Sequence, residues 1–206
     1  MEQELTTKKY NIVIGLVLLW GVSVNAIVCA CFQDIFLQWE PRAVFAAYSI
    51  MATVGVCISI FIENALISFI GFNLVILPLG VTLSIALRVL GVSMIVHTFS
   101  LATLITIILL VVAAVKPEIF NSAGDLLSVC LVAIVVVELV LNLSGGVPGK
   151  WWDGLVASLF SAYIGYGWGQ AQDREKTLDN AIDSPVRLYL DFINLFIKLF
   201  SKGHNI

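Results

Sequence analysis

Four polar side chains interrupt the last hydrophobic stretch of the chain, RLYLDFINLFIKLF at positions 187–200. They are Arg187, Asp191, Asn194 and Lys198. Their spacings of four, three and four residues place them on one stripe of an α-helix, which makes a turn in about 3.6 residues. A charge at the centre of a bilayer costs about 2.5 to 3.5 kcal/mol, so the stripe is expected to face protein or water. Asp191 is therefore a candidate for lining a polar pathway, where it titrates or meets a cation.

The same stripe also allows a purely structural interpretation. Arg187 precedes Asp191 by four residues, within ion-pair reach on a helix, and such a pair would fix helix packing without transport. Lys198 lies near the helix end, from which its long side chain reaches the membrane interface. A retinal-binding lysine is excluded, because microbial rhodopsins place an aspartate four residues before that lysine, whereas Asp191 precedes Lys198 by seven.

Two other ionisable residues lie inside apolar runs. Glu138 occurs in AIVVVELVLNLSGG and is a candidate for the same pathway, although bonding to a neighbouring helix is the alternative. His97 lies in the first two turns of its run, where hydrogen-bonded scaffolding is the simpler role. No Ser-His-Asp order, HExxH, P-loop or GxGxxG opening a helix after a strand occurs, so we expect no enzymatic activity.

Composition indicates a protein embedded in lipid. Of the 206 residues, 60% are hydrophobic and 12% are charged, against about a quarter charged in a typical soluble domain. The mean hydropathy is +1.01. The net charge of −3 and the lack of a basic run exclude a nucleic-acid partner. The cysteines all lie in apolar runs without metal-ligand spacing, and we expect them to be buried hydrophobic residues.

Seven apolar segments are long enough to be predicted as membrane spans. They are approximately Tyr10–Phe32, Ala43–Ile62, Leu66–Leu87, Val92–Val115, Leu126–Leu143, Trp151–Trp168 and Pro185–Phe200. The chain is thus predicted to be one all-α transmembrane domain over residues 1–206, with an N-terminal tail at 1–9 and a polar loop at 169–184. Pro185 suits the first turn of the last helix, with Ser184 or Asp183 as its cap. The basic residues divide six to five between the two sides, which favours a cytoplasmic N-terminus by one residue.

Several motifs carry a family resemblance. LYLDFINLF at 188–196 closely resembles the signature of the Bax inhibitor-1 family of membrane proteins. YIGYGWGQAQ at 163–172 is similar to the sixth helix of that family, and TLDNAIDS at 177–184 to the loop before its seventh helix. FNLVILPLGVTLSIAL at 72–87 resembles the third helix with its inner proline, and KPEIF at 116–120 the end of the fourth. The likeness is specific in the last 45 residues and looser before them.

The resemblance implies a fold in which six helices wrap a central seventh, whose polar stripe is thereby shielded from lipid. It also implies a pH-sensitive calcium leak whose sensor is a pair of aspartates on the sixth and seventh helices. Asp191 matches the second aspartate, whereas the first falls at Gly167. No cofactor is implied, and calcium enters as a transported ion. Because the chain looks most like bacterial members, we expect it in the bacterial cytoplasmic membrane as a multi-pass protein.

The glycine at position 167 leaves two functions open. Two close carboxylates share a proton near neutral pH, and calcium takes six to eight oxygen ligands. A single aspartate near Arg187 is therefore a poor pH sensor and a poor calcium site. Glu138 is a conceivable replacement carboxylate. The first function is a cation leak pathway, or a degenerate form of one. The alternative is a non-transporting protein that acts on other membrane proteins, modulating membrane proteolysis or stress and cell-death machinery.

Overall fold

The described part of the chain is almost entirely α-helical. The computed structural model describes residues 4–31, 40–90, 92–116, 118–144 and 150–204, and contains no β-strand within them. In chain order the helices are α1 (Thr7–Cys31), α2 (Pro41–Phe61), α3 (Ala65–Leu90), α4 (Val92–Val115), the single-turn α5 (Glu118–Asn121), α6 (Gly124–Ser144), α7 (Lys150–Asp173) and α8 (Leu178–His204). The predicted all-α class is confirmed, and each predicted span lies almost wholly in one long helix.

Local sequence signals explain several helix ends. Pro41 occupies the first turn of α2, where its missing N–H costs nothing. Asn64 caps α3, because its Oδ1 accepts hydrogen bonds from the backbone N–H groups of Leu66 and Ile67 at 3.1 and 3.2 Å. Pro78 lies inside α3, as the sequence predicts, and its carbonyl accepts a bond from the Thr82 hydroxyl at 3.1 Å.

The segment at 169–184, predicted as a polar loop, is largely helical. Helix α7 continues to Asp173 and α8 begins at Leu178, so only residues 174–177 lie between them. Thr177 caps the last helix, since its Oγ1 accepts the backbone N–H of Asn180 at 3.1 Å. The predicted caps Asp183 and Ser184 and the predicted first-turn Pro185 all lie inside α8 instead. Polar residues there form extra helical turns that the hydrophobic pattern does not mark.

Within the described residues, three helices are long and apolar enough to cross a membrane: Thr7–Cys31, Ala65–Ile85 and Val96–Val115. A shorter apolar helix covers Ala46–Phe61. Large apolar side chains are widely exposed, for example Leu66, Val129 and Leu143 at 77%, 67% and 80%. Such outward-facing leucine and valine suit hydrocarbon rather than water. The count of seven membrane crossings stays a prediction.

The backbone contacts divide the chain into two compact units. The first comprises residues 1–92 and 174–189. In it, α2 and α3 approach each other closely at two glycines. A Cβ on Gly71 would lie 2.9 Å from the Gly55 carbonyl oxygen, and a Cβ on Gly55 would lie even closer to the Gly71 carbonyl oxygen. Small residues of this kind let membrane helices approach each other. The start of α8 belongs to this unit, where the buried Tyr189 ring meets Phe72 edge-on at 5.6 Å and its hydroxyl accepts a hydrogen bond from Asn25.

The second unit comprises residues 93–173 and 190–206. Its core lies between α6 and α7 and contains Leu127, Ile134, Trp152, Val156 and Leu159. The C-terminal part of α8 packs on α4 in this unit, because Phe99 contacts the rings of Phe192 and Phe196 at 5.4 and 6.2 Å. The predicted wrap of six helices around the seventh remains an expectation, whereas the packing of α8 within each unit is observed.

Candidate functional site

An ion pair links α6 to α8 within the second unit. The Lys198 Nζ lies 2.5 Å from the Glu138 Oε1. The Trp152 indole N–H donates to the same oxygen at 3.2 Å. The side chains of Lys198 and Glu138 are 22% and 35% exposed, so the pair is partly shielded from its surroundings. Glu138 is thus neutralised by a lysine and held in place by a tryptophan.

Asp191 is buried inside the last helix. Its side chain is 8% exposed and is followed by the buried residues Phe192 and Ile193. Asn194, one turn further along the predicted stripe, is partly buried. A carboxyl in such a position must be protonated or stabilised by polar neighbours, which makes it an unusual feature of an apolar helix.

The remaining predicted residues lie in different surroundings. Arg187 is exposed, in the part of α8 that belongs to the first unit. His97 is exposed near the start of α4. Gly167 is buried in α7 within the second unit, and as a glycine it supplies no carboxylate there. Of the predicted stripe, the structure therefore buries Asp191 and pairs Lys198 with Glu138, while Arg187 is exposed.

A second group of polar residues, in the first unit, lies where the start of α8 meets α1 and α3. The Ser68 hydroxyl, which is fully buried, donates to Asp179 Oδ1 at 2.8 Å. Tyr10 and Ser184 share a hydrogen bond between their hydroxyls at 3.1 Å, and the Tyr10 hydroxyl also lies 3.3 Å from the Asn180 carbonyl. Three helices are thereby tied together by hydroxyl and carboxyl groups.

Asp183 lies one turn after Asp179, before the predicted span that begins at Pro185. The pKa of Asp183 is raised from 3.8 to about 6, mainly by burial and also by the Asp179 carboxylate, whereas the hydroxyls of Ser68 and Ser59 and the charge of Arg174 act in the opposite direction. Its Oδ1 atom is buried and accepts no hydrogen bond from the residues that the structure describes. Ser59 Oγ, which also faces Asp183, is another buried oxygen without a described partner.

Sequence reasoning offered bonding of Glu138 to a neighbouring helix as an alternative, which the structure shows, but it did not identify Lys198 as the partner. It missed the group around Asp183. Opposite charges within two apolar segments are a signal for pairing, because each is expensive alone in a membrane. For the second group, the spacing of Asp179 and Asp183 is visible in the sequence, but the assignment of 169–184 to a loop hides their common helical face. Ser68, the partner of Asp179, and Tyr10, the partner of Ser184, are more than one hundred residues away, and no spacing connects them.

The described residues contain no group of three or more histidine, cysteine, aspartate or glutamate side chains that could hold a metal ion. In the second unit, Glu138 is engaged with Lys198. The last helix contributes a buried carboxyl, Asp191, to the same unit.

The chain matches the model of a known protein family. The family model described as "Inhibitor of apoptosis-promoting Bax1" matches residues 2–202, which is nearly the whole chain. No individual curated protein matches the chain significantly. The match, together with the long apolar helices, makes this an integral membrane protein that belongs to the Bax inhibitor-1 family.

Proposed function

We propose that this protein forms a pH-sensitive leak pathway for cations such as calcium, with Asp191 as the residue that lines or gates the path. The observation that carries the proposal is the burial of Asp191, at 8% exposure, inside the last hydrophobic helix. Ionisable residues at such positions typically mark ion or proton pathways. Asn194 extends the polar surface by one turn. We place the protein in the bacterial cytoplasmic membrane.

The leak is tested by calcium entry into liposomes. Purified protein is reconstituted with a calcium dye inside the vesicles, and entry is recorded from about pH 6 to about pH 8. Wild type is expected to admit calcium at a rate that changes with pH, and Asp191→Asn to fall to the rate of empty vesicles. Asp125→Asn, at an exposed position in the first turn of α6, is the matched control and should behave as wild type.

The residues at positions 138 and 167 favour a second function. Position 167 is glycine, and Glu138 is neutralised by Lys198, so neither adds a free negative charge beside the last helix. A family member of this kind fits a non-transporting protein that acts on other membrane proteins. It predicts no calcium entry for wild type at any pH, and entry that appears in Gly167→Asp. Equal entry in wild type and Asp191→Asn would contradict the leak proposal outright.

A further inference from the structure

The start of α8 is attached to the first unit by contacts that depend on oxygen atoms rather than on apolar packing alone. The attachment to α3 is the Ser68–Asp179 hydrogen bond at 2.8 Å. The attachment to α1 is the Tyr10–Ser184 hydrogen bond at 3.1 Å. The Leu5 backbone N–H also donates to the Lys176 carbonyl at 2.6 Å, just before the helix. We call this set of contacts the α8 clasp.

Asp183 lies inside the clasp in an environment that suits the neutral acid. Its Oδ1 atom and the Ser59 Oγ are both buried oxygens without a described partner. A protonated carboxyl avoids placing a charge at this buried oxygen without a partner. An ionised Asp183 would instead add a second negative charge one turn from Asp179, which is 6% exposed.

The other groups that face Asp183 do not cancel this charge. From the loop before α8, Arg174 is the one cation found to act on it among the described residues, and its favourable effect is smaller than those of burial and Asp179. From α1 it meets the neutral Tyr10. From α2 and α3 it meets the hydroxyls of Ser59 and Ser68, which favour the ionised acid but do not outweigh burial and Asp179, since the pKa stays raised. Lys176 is directed toward the Tyr10 ring, 4.8 Å from its centre.

We propose that the α8 clasp is a proton-controlled latch: with a proton on Asp183 it holds the start of α8 against α1 and α3, and on losing that proton it loosens. The latch is separate from Asp191 and does not depend on whether the protein conducts cations. It gives the last helix a way to respond to the pH of the aqueous phase at the end where α8 begins.

The experiment is hydrogen–deuterium exchange with mass spectrometry on the full-length protein in lipid nanodiscs, at about pH 5 and about pH 7.5. Labelling times are scaled for the intrinsic exchange rate at each pH. A pKa of about 6 in the closed latch, against 3.8 when Asp183 is released, predicts opening of residues 178–190 about tenfold more often at the higher pH. Partial exposure of Asp183 weakens the effect of its charge, so the expected increase in opening is between about three- and tenfold.

Three variants make the result specific. Asp183→Asn should remain protected at both pH values, because its side chain cannot ionise. Asp179→Asn should move the midpoint of the change to lower pH, because it removes the neighbouring charge. Glu175→Gln, an exposed carboxyl in the preceding loop, is the matched control and should follow wild type. Equal protection of wild type at both pH values, or a change that persists in Asp183→Asn, would overturn the latch.

Discussion

Glu138 and Lys198 should stabilise each other, so that removing both costs less than the sum of the two single removals. At 2.5 Å, two unit charges attract each other by about 7 kcal/mol at an effective dielectric constant of about 20. Desolvation of both groups offsets most of this, and exposures of 22% and 35% raise the local dielectric further. We therefore expect a net coupling of about 1 to 2 kcal/mol, between the values for exposed and fully buried pairs.

A double-mutant cycle measures this coupling. Glu138→Gln and Lys198→Met are each expected to lower the free energy of unfolding by about 1 to 3 kcal/mol, because each leaves a partly buried charge without its counter-ion. The double variant should lose clearly less than the sum of the two. Glu138→Gln keeps an oxygen that can accept from Trp152, so the change isolates the charge rather than the indole hydrogen bond.

The assay is reversible unfolding in mixed micelles, followed by tryptophan fluorescence and by helical circular dichroism. The matched control cycle uses Asp125→Asn with Lys198→Met, since Asp125 is an exposed acid at the other end of α6. Its two effects should add within about 0.5 kcal/mol. Additive losses for Glu138 and Lys198 as well would refute the reasoning, because they would show that the two charges do not stabilise each other.

Three further outcomes are expected. Gly55→Ala should destabilise by about 1 to 3 kcal/mol, since its Cβ would collide with the Gly71 carbonyl oxygen, whereas Gly15→Ala, with open space around it, should be neutral or stabilising. Thr177→Ala should lower the unfolding free energy by about 1 kcal/mol through loss of the α8 cap, and Thr177→Ser should restore it. The pKa of Asp183 is raised in the folded state, so its stabilising effect is complete below about pH 4 and disappears as the pH rises through about 6. The loss is about 1 to 2 kcal/mol after allowing for partial exposure, and the difference in unfolding free energy between wild type and Asp183→Asn measures it.

Each of these expectations has a result that would contradict it. Equal stabilities of Gly55→Ala and Gly15→Ala would mean that α2 and α3 do not approach as closely as their glycines allow. A stable Thr177→Ala would mean that the helix start is held by other contacts. A constant difference between wild type and Asp183→Asn across pH 4 to 7 would mean that the Asp183 pKa is the same in the folded and unfolded states.

The helical class and most helix bounds could be predicted because hydrophobic length is a strong signal in this chain. The predicted segment Val92–Val115 coincides with the observed helix, and the helices starting at Pro41 and Lys150 begin within two residues of prediction. The start of α8 could not be predicted in the same way. Its first turns carry polar residues, and their helical state depends on a threonine cap and on contacts with distant parts of the chain.

The candidate site, too, could be predicted only in part. That Asp191 would be shielded follows from one carboxyl in an apolar helix, and its burial agrees with that expectation. The partner of Glu138 was not predictable from spacing, because Lys198 is 60 residues away and reaches it only through tertiary packing. Arg187 shares the helical stripe with Asp191 in sequence, yet it is exposed, since one stripe extends along a long helix through different surroundings.

The most direct test of the proposed pathway is the reactivity of a thiol introduced at position 191. In a variant without the native cysteines, Asp191→Cys and Ile197→Cys are each treated with a small cationic thiol reagent in proteoliposomes. Ile197 is 45% exposed on the same helix and serves as the reference position. A cation pathway predicts that the thiol of Asp191→Cys reacts at least several-fold faster than that of Ile197→Cys, and that calcium in the bath slows its reaction. Equal, negligible reactivity of the two variants would contradict the pathway, because it would show that residue 191 does not meet ions from water.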